Sequence, residues 1–258
     1  MSPSFPTTVH RYGPHPSQFG HLSLPASEPP HRAVILLHGG FWHRPWGLDL
    51  MFDVAGDLLR RGLAVWNLEY RRVGEPGGGW PGTFDDVLAG FDALAGLPEA
   101  AALDLFSIGA AGHSAGGHLA LWLAAERGPR AGGAAVVTAA VGLAAVPDLR
   151  YAWESGTGDG AVEALLGGPP HVVAERYRFA SPAERLPIGV RQLLVHGERD
   201  RVVPPGLSRR YVAEARASGD QAAVQIVPKT GHMDVIKPAG SSWQFAAGWL
   251  QTVNTGPI

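Results

Sequence analysis

Two periods alternate along this chain. Short apolar runs rich in β-branched residues fall at 33–37, 63–68, 105–109, 134–141, 192–195 and 223–227, with the length and composition of buried strands. Between them, 48–60, 83–97, 115–126, 207–217 and 242–253 place apolar side chains three and four residues apart, which lines one face of a helix. Strand-then-helix alternation predicts an α/β fold with a mostly parallel central sheet. Parallel neighbours need crossovers, and the crossover helices cover both faces. Segment 19–24 is expected to add an antiparallel edge strand. From 147 to 189 the rhythm fails, with Trp153, a glycine-rich patch at 156–160 and the pair Pro169, Pro170. Irregular segments of this length inside compact chains are usually functional. The expectation is a single domain over 1–258 with 147–189 as a lid or cap insertion, against the plainer reading of a tolerated surface loop.

Composition narrows the chemistry. The 258 residues include no cysteine, which excludes disulfides, iron–sulfur clusters, thiolate zinc sites and a cysteine nucleophile. Basic and acidic residues nearly balance, for a formal net charge of −2. A partner held by phosphate neutralisation would need a basic excess, so no nucleic acid is expected. The uncharged stretch 131–146 is shorter than the ~20 residues of a membrane-spanning helix and is read as a buried strand running into a loop. No basic and apolar leader is visible near the start, so a cytoplasmic location is the default expectation. Eleven histidines invite a metal reading, but no H-E-x-x-H occurs, and neither metal nor cofactor is expected. His10, His15, His21 and His31 are read as solvated loop residues.

Three segments at the ends of predicted strands carry chemistry. Gly112-His113-Ser114-Ala115-Gly116 is a G-x-S-x-G pattern between a strand and a helix, where small flanking residues let a sharp turn expose the serine hydroxyl. The helix N-terminus then aims unpaired N–H groups at the same point. His38-Gly39-Gly40-Phe41-Trp42 follows the first central strand, and such a turn can offer backbone N–H groups to an oxyanion. A hydroxyl nucleophile needs a base, and the base needs an orienting carboxylate. Asp200 follows the strand at 192–195 and His232 follows the last strand, giving the chain order Ser, Asp, His. Asp234 and Glu198 are minor alternatives for the acid.

Taken together, these segments resemble the α/β-hydrolase superfamily over nearly the whole chain. The HGGFW run is similar to the HGGxW motif of the kynurenine formamidase and BD-FAE-like esterases, related to hormone-sensitive-lipase-like esterases. The resemblance implies Ser114 as nucleophile, His232 as base then acid, and Asp200 as orienter. It further implies oxyanion donors at Gly40, Phe41 and Ala115. Glu69-Tyr70-Arg71-Arg72, Trp80-Pro81 and Asp86 resemble the D-Y-R, F-P and D run of the lipase-like relatives, with Glu69 in place of Asp. That run implies a brace for the oxyanion loop and a structural Arg71–Asp86 pair.

The implied activity is cleavage of small carboxylic esters through an acyl-enzyme, without cofactor. Hydrolysis of an aryl formamide such as N-formylkynurenine is the runner-up, and a ligand-binding pseudo-hydrolase the third reading. The partner expected is thus a small acyl ester or formamide, not a nucleic acid or membrane. Indoles on loops at this edge of the sheet make Trp42, Trp80 and Trp153 candidate pocket residues, whereas Trp66, Trp122, Trp243 and Trp249 are expected in the core. Nothing in the sequence sets the oligomeric state.

Overall fold

The computed structural model describes residues 5–253; the two ends of the expected 1–258 domain, 1–4 and 254–258, lie outside the described residues. Eight strands form one sheet: β1 (Thr7–Arg11), β2 (Phe19–Ser23), β3 (His31–Leu37), β4 (Ala64–Leu68), β5 (Leu103–His113), β6 (Val137–Leu143), β7 (Arg191–Gly197) and β8 (Ala222–Val227). Their spatial order is β1-β2-β4-β3-β5-β6-β7-β8. Only β1 and β2 run antiparallel to their neighbours, and every pairing from β4 to β8 is parallel. The strand predicted at the edge, β2, is the second one in. Outside it lies β1, whose sequence TTVHR carries one aliphatic residue and leaves four of five positions exposed. It therefore gives no hydrophobic alternation to read.

The alternation of side chains across β3 builds two cores. Ile35 and Leu37 point to one face, where they join Phe84 and Phe91 of α2 (Gly82–Asp92) and Leu119 and Trp122 of α3 (Ala115–Arg127). Val34 and Leu36 point to the other, against Leu58 of α1 (Phe52–Arg60) and Trp243 of α8 (Ser241–Thr252). A strand covered on both faces reads as a continuous apolar run, which is why 33–37 stood out. Trp66, Trp122 and Trp243 are fully buried, and Trp249 is partly buried against the second core.

Segment 147–189 forms three short helices: α4 (Leu149–Glu154), α5 (Ala161–Leu166) and α6 (Ala174–Ala180). None is long enough to show a helical period. Leu149, Ala152, Val162, Leu165 and Tyr177 join the core on the α3 side, so the segment is packed into the protein and does not merely lie over it. The helix α7 (Gly206–Ala217) follows β7 on the same side. No helix among the described residues is long and apolar enough to cross a membrane.

The histidines near the start are not loop residues throughout. His10 lies on β1 within reach of Glu99, His21 lies on β2 and stacks on Phe52, and buried His31 opens β3. His15 remains in the β1–β2 connection.

Candidate active site

Parallel strands end at one edge of the sheet, and the loops that leave those ends are where open α/β sheets carry their sites. Strand β5 runs four residues past the predicted 105–109 and ends inside the motif, at His113. Ala110, Ala111 and Gly112, all buried, have low strand propensity by composition; the neighbours β3 and β6 pair with them and overrule it. At Ser114 the backbone reverses with φ 56° and ψ −117°, a left-handed conformation that costs a side-chain-bearing residue of order 1–3 kcal/mol. The turn is held by the Ser114 amide, which donates to Leu143 O at 2.8 Å on β6. The flanking glycines are required by contact: a Cβ at Gly112 would lie 2.1 Å from Gly116 O, and one at Gly116 would lie 2.1 Å from Leu37 O. Ala115 begins α3, so its amide has no acceptor within the helix and is free by position to serve a developing anion.

The second turn is equally strained. Gly40, Phe41 and Trp42 take φ values of 112°, 57° and 59° in succession. A Cβ at Gly40 would strike the Trp46 side chain at 2.2 Å, and one at Gly39 would sit 2.9 Å from His113 Nδ1 and 3.1 Å from Ser114 Cβ. The two glycines therefore bring this loop onto the serine turn. Its conformation is held from below. Glu69, buried, accepts from His38 Nε2 at 2.9 Å, Leu48 N at 2.9 Å and Tyr70 N at 3.1 Å. Tyr70 Oη donates to His38 O at 2.7 Å, and the two rings stack at 4.3 Å. Burial alone would raise the Glu69 carboxyl, but the His38 and Arg72 contacts and the Leu48 amide hold it below the ordinary carboxylate range. Arg71 makes a two-pronged bond to buried Asp86 at 2.8 and 2.7 Å and adds its own backbone N–H at 2.9 Å.

The loops after β7 and β8 bring the remaining two residues together. His232 Nδ1 lies 2.7 Å from Asp200 Oδ2. A carboxylate oxygen can only accept, so Nδ1 carries the proton and Nε2 is turned away from Asp200. The other oxygen, Asp200 Oδ1, accepts from the amides of Val202 and Val203 at 2.9 Å each. Burial would raise this carboxyl; donation from His196, His232 and Val203 N outweighs it and keeps Asp200 ionised far below the usual range. Asp234 is engaged elsewhere, accepting from Gly231 N and Lys237 Nζ, and Glu198 accepts from Lys229 N.

A narrow cavity, with room for about one water molecule, opens on Ser114 and Ala115. Phe41, Trp42, Val146 and Val203 line it together with Thr157, Gly158 and Val162 of segment 147–189. Of the three indoles expected there, Trp42 is a wall, while Trp80 and Trp153 do not line it. Trp80 packs edge-on to Phe179 at 5.3 Å, and Trp153 donates to Glu163 at 3.0 Å. A larger concavity of about 410 Å³ lies between β1, β2, β4 and α1, lined by residues such as His21, Phe52, Leu59 and Asn67. It touches none of Ser114, Asp200 and His232.

A family model described as BD-FAE matches residues 22–214. The chain belongs to the BD-FAE family. This family is part of the α/β-hydrolase superfamily, and the matched span holds Ser114 and Asp200 but ends before His232. No curated protein matches the sequence. Among solved structures, this BD-FAE chain resembles a truncated carbohydrate esterase from gut microbiota at 20% identity and TM-score 0.81, covering 96% of this chain and 97% of that one. It also resembles carboxyl esterase 2 from the mycorrhizal fungus Tuber melanosporum, at 20% identity and TM-score 0.78, covering 97% and 88%. A third is esterase 2 of Thermogutta terrifontis, phosphoramylated by tabun, at 19% identity and TM-score 0.75, covering 99% and 98%. At these identities the likeness is one of fold.

Three further histidines in this BD-FAE chain make contacts around the site. His196 Nε2 lies 3.2 Å from Asp200 Oδ2 and 2.8 Å from Val203 O, with Ser208 Oγ 2.7 Å from its Nδ1. His113, next to the serine, donates from Nε2 to His232 O at 3.1 Å, with the rings 4.7 Å apart. Burial and the nearby His232 push His113 down to about 3, so it is neutral. The Trp42 indole donates to His118 Nδ1 at 3.2 Å, and His118 Nε2 donates to Ala180 O at 2.8 Å. Burial lowers His118 to about 4, which suits that tautomer. The only sequence signal for these was a histidine beside each motif, and histidine type alone does not say which atom it meets.

Proposed function

We propose that the protein is a serine hydrolase that cleaves small carboxylic esters through an acyl-enzyme. The observation that carries this reading is the His232–Asp200 pair at 2.7 Å, together with a serine held at φ 56° on the residue that caps the N-terminus of α3. Ser114 Oγ attacks the acyl carbon while His232 Nε2 takes its proton. The carbonyl oxygen becomes an oxyanion facing the Ala115 amide and the amides of Gly40 and Phe41. As the tetrahedral adduct collapses, the bond to the leaving oxygen breaks and His232 returns the proton to that oxygen. Water, deprotonated by the same nitrogen, then attacks the acyl-enzyme, and Ser114 regains its proton. Asp200 stays ionised throughout and stabilises the imidazolium that forms at each step.

The esterase names borne by structural neighbours, and tabun capture of one of them, support this reading over a non-catalytic binder. Fluorophosphonate labelling tests it. The expected result is covalent capture at Ser114, lost in Ser114→Ala and strongly slowed in His232→Ala; well-folded protein that takes up no label would refute it. A parallel rate comparison between phenyl acetate and N-formylkynurenine sets ester against formamide, with the ester expected to give the larger kcat/KM.

A further inference from the structure

Four buried histidines lie around the site, and three of them have a partner for each ring nitrogen. His38 meets Gly39 O and Glu69 Oε1. His118 meets Ala180 O and the Trp42 indole. His196 meets Val203 O and Asp200 Oδ2 through Nε2, and Ser208 Oγ through Nδ1. His113 differs. Its Nε2 lies 3.1 Å from His232 O, a carbonyl that can only accept, so Nε2 carries the proton. The ring is neutral, which leaves Nδ1 as an acceptor, and Nδ1 is buried with no hydrogen-bond partner among the described residues. Gly39 is packed on that edge of the ring, where a Cβ would lie 2.9 Å from Nδ1.

An unpaired buried acceptor weakens a fold. An apolar side chain of similar size would avoid that cost, so packing does not account for a histidine here. What the imidazole adds is the Nε2–H bond, and that bond joins two loops. His113 ends β5, next to Ser114, while His232 lies beyond β8 and precedes the short helical turn Met233–Ile236. Other bonds of the base loop run to the loop after β7 or stay within it. Thr230 O accepts from Arg199 N at 2.9 Å, Lys229 N donates to Glu198, and Gly231 N donates to Asp234 Oδ2 at 2.8 Å. Asp200 sets the direction of the His232 ring through Nδ1. The His113 bond holds the backbone that carries the ring against the serine turn.

We infer that His113 is a positioning residue for the reaction: its Nε2–H ties the backbone of the base loop to the nucleophile turn and fixes the reach of His232 toward Ser114. The inference rests on the serine-hydrolase reading. Proton transfer needs its two atoms within hydrogen-bond reach, and a misplacement of about 1 Å can cost about a hundredfold in rate.

The test compares His113→Met, which has no donor, with His113→Gln, a side chain of the same length that ends in an NH₂. With p-nitrophenyl acetate, His113→Met should lose about a hundredfold in kcat, with KM within about twofold of wild type. Fluorophosphonate labelling of Ser114 should slow by a similar factor. His113→Gln should recover at least about tenfold of that loss. The thermal midpoint of His113→Met should stay within about 3 °C of wild type, because the lost bond is offset by removal of the unpaired Nδ1. In a His232→Ala background, where there is no base to place, His113→Met should cost less than about threefold in kcat. Three results would each overturn the assignment while wild-type labelling at Ser114 kept the hydrolase reading: a folded His113→Met within about threefold of wild-type kcat, a glutamine variant no faster than the methionine variant, or the full loss repeated in the His232→Ala background. If His113→Met does not fold, His113→Leu takes its place in the comparison. Wild type that neither turns over the ester nor takes up label would refute the hydrolase reading, and this inference with it.

Discussion

Replacing Glu69 by Gln removes a charge from beneath the oxyanion loop with almost no change in shape. The carboxylate has two oxygens and meets donors at both: His38 Nε2 and Tyr70 N at one, Leu48 N at the other. The amide of glutamine keeps one oxygen and turns an NH₂ toward the donors that faced the second. At least one buried N–H is left unpaired, at a cost of about 1–3 kcal/mol. Weakened attraction for Arg72, whose Nη1 lies 3.5 Å from Glu69 Oε1, brings the expected loss to roughly 2–4 kcal/mol. For a chain of this size that moves the urea midpoint by about 1 M. The pH dependence carries a sign. The folded-state carboxyl is held below its ordinary value, so its contribution is complete above the unfolded pKa and disappears as pH falls through the folded one. The gap between wild type and Glu69→Gln should therefore be full at neutral pH and close in the acid range below the usual glutamate value. Urea titrations at neutral and acidic pH measure it. A neutral-pH difference below about 0.5 kcal/mol, or a gap that widens with acidification, would refute the assignment of Glu69 as the charged centre of the brace.

Other expectations follow from the site. Asp200→Asn should lower kcat for an acetyl ester by about ten-thousand-fold with little change in KM; a loss under about tenfold would mean that the carboxylate does not orient His232. The His113 ring, held neutral down to about pH 3, should show no NMR titration step between about pH 5 and pH 9, and a step in that window would remove it as the neutral donor to His232 O. Gly116→Ala pushes a methyl group to 2.1 Å from Leu37 O and 2.4 Å from His38 O. Calorimetry should find a loss of about 1–3 kcal/mol together with loss of fluorophosphonate labelling; a stable, labelled variant would show that the turn does not need the glycine.

The parts of this architecture that a sequence shows are those that one stretch of chain decides by itself. Strands β3, β4, β7 and β8 each carry a short apolar run, and the helices that cross between them keep a helical period, so the α/β alternation is legible. The serine turn is legible because its geometry demands small residues at fixed offsets, and Gly112 and Gly116 supply them. What one stretch cannot show is which neighbour a side chain meets. Strand β1 exists because β2 offers it an edge. The end of β5 is a strand because β3 and β6 hold its alanines and glycine in register. Trp42 and Trp153 looked alike, yet His118 stands beside one and Glu163 beside the other. Helices α4, α5 and α6, of six or seven residues each, are made by burial in a core that the rest of the chain provides.

Segment 147–189 reaches the cavity on Ser114 with Thr157, Gly158 and Val162, and none of them bonds to Ser114, Asp200, His232 or the Glu69 brace. A change of size at Thr157 alters the shape offered to a substrate without removing a bond that holds those groups, whereas a side chain at Gly158 would meet the Phe41 ring. That separation gives mutation a cheap route to new substrates. A lineage carrying this arrangement can drift in what it accepts by changing a handful of apolar residues between β6 and β7, whereas the strained turns at Phe41, Trp42 and Ser114, where nearly every change costs stability or rate, stay fixed.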